Sequence, residues 1–109
     1  MAPGRRDDAN APSDAEGLDA RLRALHDHLA ATAELPVETD ASRWLGEAEA
    51  VAADVADGDA PRSAVETRIR QVRELLAHVE DTGNEDADDH VEAARGLAAA
   101  IAAEVGAEP

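Results

Sequence analysis

The chain has 109 residues, room for one small domain, and sets 25 acidic side chains against ten basic ones for a formal net charge of −15. All ten basic residues are arginine, 27 residues are alanine, Trp44 stands in place of any other Phe, Tyr or Trp, and cysteine is absent. These facts exclude a disulfide framework, thiolate metal sites and thiol nucleophiles, and no apolar run is long enough to span a bilayer.

Residues 1–13 hold Pro, Asp and Ala with no large apolar side chain after Met1. They lack the apolar stretch of a secretory signal and are expected to form a disordered acidic tail. Ser13 followed by Glu16 is a capping-box pattern, and Leu18, Leu22, Leu25 and Leu29 follow at helical spacing, which predicts a first helix near 14–33. Pro36 stops it, because proline has no amide hydrogen and pushes its predecessor out of the helical region. Thr39 or Asp40 is expected to cap a second helix over about 41–56, with Trp44, Ala48, Val51 and Val55 as its stripe and Asp57-Gly58-Asp59 as its breaker.

Pro61 suits the first position of a third helix, predicted over 61–82, whose stripe is Val65, Ile69, Val72, Leu76 and Val79 and whose stop is Gly83. Asn84 can cap a fourth helix over 85–105, with Ala87, Val91, Ala94, Ala98, Ile101 and Val105 on one side. Short links between helices of similar length make sequence neighbours antiparallel. The predicted fold is therefore all-α, an antiparallel up-down-up-down four-helix bundle over 14–105 behind the disordered tail.

The absence of lysine, the Asp and Glu excess, the alanine-rich helices and the scarcity of bulky apolar residues look like a protein from a salt-in halophile. The stretches LHDHLAATAELPVETDASRWLGEAEAVAADVADG and VETRIRQVRELLAHVEDTGNEDADDHVEAARGLA resemble an uncharacterised family of small acidic all-helical proteins from halophilic archaea, over roughly residues 18–105. The resemblance implies a cytoplasmic protein working in concentrated KCl, and it brings no catalytic or ligand residue with it. Acidity in such a setting is background, so it identifies no partner.

Sites for chemistry are sparse. His26 and His28 lie about 200° apart around one helix, so they cannot chelate one ion together. His78 points away from its stripe, and His90 sits at a stripe edge with Asp86 one turn earlier as a hydrogen-bond partner. No metal site and no cofactor are expected. The carboxylates Glu47, Glu49, Asp54 and Asp57 lack the paired Glu-x-x-Glu and Glu-x-x-Asp of the all-α nucleotide pyrophosphatases, and no Ser or Thr has a histidine at useful spacing. The expectation is a protein that is not an enzyme.

Two surfaces remain. Arg62, Arg70 and Arg73 are candidate contacts for an anionic ligand, since arginine forms paired hydrogen bonds with carboxylate and phosphate, although Glu66 and Glu74 invite a plain salt-bridge ladder. Nucleic acid is disfavoured, because no aromatic platform accompanies these charges. In the fourth helix GLAAAIAAEV is apolar nearly all round, and Gly96, Ala99, Ala100 and Ala103 lie opposite the buried stripe. That face, with Trp44 as a second anchor, is the candidate interface for a homodimer or a helical protein partner. The leading expectation is a non-enzymatic interaction or adaptor module adapted to high salt.

Overall fold

The computed structural model of the chain describes residues 14–107, with side chains from residue 17 onward. The tail expected over 1–13 and the cap expected from Ser13 lie outside the described residues. Four helices follow in order: α1 (Asp14–Thr32), α2 (Thr39–Ala53), α3 (Arg62–Ala77) and α4 (Glu85–Val105).

Apolar spacing accounts for what each helix buries. Leu22, Leu25 and Leu29 of α1 meet Val65, Ile69, Val72 and Leu76 of α3 in one core, while α2 and α4 contribute many alanines, among them Ala41, Ala48, Ala94 and Ala98. Large side chains on alternate helices thus face small ones, which lets the helices close up without bulky aromatics. The α2 face differs from the predicted one at two places, each by one position along the chain. Leu45 and Ala52 are buried, whereas Trp44 and Val51 are only half-buried against the core. The indole is too large for an alanine-lined seam and carries an N–H that favours the rim.

Each helix packs against its sequence neighbours, α1 also packs against α4, and among the described residues the backbones of the diagonal pairs do not approach one another, their side chains sharing only the central core. Cross-contacts give the directions. On α1 and α4, Arg21 reaches Glu104 and His28 reaches His90. On α2 and α3, Trp44 stacks on His78 and Asp54 pairs with Arg68. Rising residue numbers on one helix thus meet falling numbers on the other, and the molecule is an antiparallel up-down-up-down bundle.

Helix ends depart from the sequence pattern where distant groups intervene. The N-cap of α2 is Glu38, extended at φ −61° and ψ 151°, and neither Thr39 nor Asp40 fills that position. Its amide is used elsewhere, donating to the Thr82 carbonyl at 2.8 Å. The α2 helix stops at Ala53, before a turn in which Asp57 Oδ1 accepts the Asp59 N–H at 3.1 Å. Pro61 precedes α3 as its extended N-cap and is not its first helical residue.

The largest difference is at the end of α3, which stops at Ala77 and not at 82. The Arg95 guanidinium of α4 donates to the Leu76 carbonyl at 2.9 Å and also to the Val79 carbonyl, so these acceptors need no further helical turn. Asn84 caps α4 as predicted, its side chain accepting from the Ala87 N–H at 3.0 Å. Glu85, Asp86 and Asp88 in the first turn suit the positive end of the helix dipole. At the other end Gly106, at φ 76°, closes α4 with the Ala107 N–H donating to the Ala102 carbonyl at 2.8 Å.

Candidate functional site

The outward side of α4 follows directly from the helix period. Seven positions from Ala87 to Val105 point into the core, so Gly96, Ala99, Ala100 and Ala103 are turned to solvent, and all four are exposed. A Cβ added at Gly96 would meet nothing within 4 Å. The result is two turns of helix presenting small side chains only, a surface another backbone can approach closely. Trp44 lies elsewhere, on α2. Its ring stacks on His78 with centroids 4.2 Å apart and 14° between planes, and the Arg43 guanidinium carbon lies 5.0 Å from its centroid. The structure therefore separates Trp44 from the α4 face.

The arginines of α3 divide in the same way. Arg62 donates to the Glu104 main-chain carbonyl at the end of α4. Arg68 pairs with Asp54 at 3.4 Å. Arg70 and Arg73 share a shallow groove with Glu74, Ala77 and Ala107, and among the described residues neither has a carboxylate within 4.0 Å. The expected ladder from Glu66 to Arg70 is not formed among the described residues. Arg62 therefore does not join the other two at one anion site.

One cluster escaped the sequence. His28 Nδ1 and His90 Nδ1 lie 2.9 Å apart, with ring centroids 5.2 Å apart and 47° between planes. At that separation one ring donates an N–H and the other accepts, which in a neutral pair requires opposite tautomers. His90 was expected to bond Asp86; its partner is instead a ring 62 residues away. The reading that His26 and His28 serve different surfaces agrees with the geometry, since His26 Nε2 lies 3.8 Å from Glu49 on α2. Among the described residues no three or more His, Cys, Asp or Glu side chains converge as metal ligands.

A polar knot ties the loops at this end of the bundle. Thr82 is fully buried; its hydroxyl lies 2.7 Å from Asp88 Oδ1, and its N–H donates to the same oxygen at 3.1 Å. The hydroxyl and then the amide hold the Asp88 carboxyl below its ordinary value against a smaller opposing effect of desolvation, and the charge of Arg95 adds a minor push in the same downward direction. Gly83, at φ 78°, completes the turn, and an added Cβ there would sit 3.2 Å from Glu38 Cγ. The knot is structural: the hydrogen bonds of Thr82 and those that Asp88 Oδ1 accepts run to other groups of the same chain.

Four antiparallel helices with small-residue and arginine-bearing outer surfaces define an all-α bundle domain. The chain belongs to the family described as Domain of unknown function (DUF8152), which matches residues 21–108. No curated protein and no solved structure matches the chain. Among the described residues no helix is long and apolar enough to cross a membrane.

Proposed function

We propose that this domain is a non-enzymatic protein–protein interaction module that receives a helix, from a partner or from a second copy, along the outward face of α4. The observation that carries the reading is the exposure of Gly96, Ala99, Ala100 and Ala103 together on one stripe. A helix that is polar on neither side is ordinarily covered on both. The lack of lysine and the charge of −15 support work in concentrated salt inside a cell, where screening removes most repulsion between acidic partners.

Sedimentation velocity in molar KCl, combined with a photoreactive side chain replacing Ala100, tests this. The chain should run as a dimer or cross-link to a partner, and Ala100→Glu should abolish the product. A monomer that cross-links no better from Ala100 than from the exposed Ala50 of α2 overturns it. A second reading, an anionic ligand, is favoured by Arg70 and Arg73 sharing one groove. Arg70→Gln with Arg73→Gln should then remove binding of inorganic phosphate or a carboxylate ligand, while Arg62→Gln leaves it intact.

A further inference from the structure

We propose that His28 and His90 form a cross-helix clamp for one divalent transition-metal ion, with Cu²⁺ and Ni²⁺ preferred over Zn²⁺. The inference is independent of the α4 docking face. The two Nδ1 atoms lie 2.9 Å apart on α1 and α4, and both rings are half-buried. That separation suits more than a shared proton. Two metal–nitrogen bonds of about 2.0–2.1 Å meeting at about 90° place their nitrogens about 2.9 Å apart, whereas a tetrahedral angle requires about 3.3 Å.

An ion held at adjacent corners of a square-planar or octahedral shell thus replaces the proton by a pivot of the rings, with the helices left where they are. Imidazole suits copper, nickel and zinc, and the order of intrinsic affinity also favours copper. Asp86, one turn before His90, lies on the same helix, but no third ligand converges among the described residues. Water therefore fills the remaining positions, and the ion keeps an open side. His26, beside Glu49, and His78, on Trp44, are engaged elsewhere.

The proton balance follows from the tautomers. Both Nδ1 atoms must be bare to bind, so the shared proton moves to Nε2 of its own ring. A neutral pair then releases no net proton, and a pair containing one imidazolium releases one.

Calorimetric titration and thermal denaturation of the full chain with CuCl₂, NiCl₂ and ZnCl₂, with MgCl₂ as a control, test the clamp. The expected result is one site per chain, a melting temperature raised by Cu²⁺ and Ni²⁺ more than by Zn²⁺, and no response to Mg²⁺. His28→Asn or His90→Asn should weaken binding by about tenfold or more, while His26→Asn and His78→Asn leave it unchanged. Electron paramagnetic resonance of the Cu²⁺-loaded wild-type chain should show coupling to two imidazole nitrogens, a readout that does not depend on any variant folding. Coupling to fewer than two nitrogens, or binding unchanged in both His28→Asn and His90→Asn, overturns the proposal.

Discussion

The two ends of the bundle are fastened by different chemistry. Where α1 hands over to α2 and α3 to α4, the fastening is hydrogen bonding around a buried hydroxyl: Thr82 to Asp88, Glu38 N–H to the Thr82 carbonyl, and Arg95 over the last carbonyls of α3. At the opposite end Arg21 pairs with Glu104, Arg62 reaches the Glu104 carbonyl and Arg68 pairs with Asp54, on side chains at the surface that are exposed or half-buried. Salt weakens surface ion pairs and leaves buried hydrogen bonds nearly untouched. A strongly acidic chain can therefore be anchored at one end independently of ionic strength and adjusted at the other.

Thr82→Val should break the contrast most severely. It takes the hydroxyl from Asp88, leaving that carboxylate only the Thr82 N–H, removes the Oγ1 that accepts the Asn84 backbone N–H at 3.1 Å, and should cost about 1–3 kcal/mol in urea denaturation, with the same deficit at low and molar KCl. A deficit that disappears in salt would contradict a buried anchor. Arg95→Met comes next, at about 1 kcal/mol, because the Val79 carbonyl loses the guanidinium donor and the Leu76 carbonyl keeps only the Val79 N–H. Hydrogen exchange should quicken over the last turn of α3 and little elsewhere.

Acid sharpens the comparison further. Because the folded Asp88 carboxyl titrates below its ordinary value, its stabilisation is present above the unfolded pKa near about 4 and is lost as pH falls through the lower folded value. The stability difference between wild type and Asp88→Asn should therefore shrink on acidification from pH 6 toward pH 2. A difference that grows would reverse the assigned sign. The smallest effect belongs to Glu104→Gln, about 0.2–1 kcal/mol at low salt, falling toward zero in molar KCl while the Thr82→Val deficit persists.

Much of this architecture could be read in the sequence where side chains are large. Val65, Ile69, Val72 and Leu76 repeat so regularly that the buried side of α3 is unambiguous, and Asn84 sits where only a cap makes sense. On α2 the signal is weak, because Ala41, Ala48 and Ala52 compete with Ala50 and Ala53 for the same pattern, so the eye follows Trp44 and Val51 when Leu45 is the buried residue. The end of α3 was beyond reach for another reason. Gly83 marks the turn correctly, but the helix is stopped by Arg95, a residue of the next helix. The small-residue face of α4 was visible because it interrupts an otherwise charged surface, and the His28 and His90 pair was not, since nothing local to either histidine announces a partner on another helix.

That the first helix closes against the last has a kinetic side. Arg21 and Glu104 are 83 residues apart in sequence, so the α1–α4 seam is the longest loop the chain must shut, and such contacts form late. During synthesis Leu22, Leu25 and Leu29 leave the ribosome long before the alanines of α4 that cover them. The leucine face of α1 must wait for its α4 cover until nearly the whole domain has emerged, and the net negative charge of the chain helps keep neighbouring nascent chains apart in that interval.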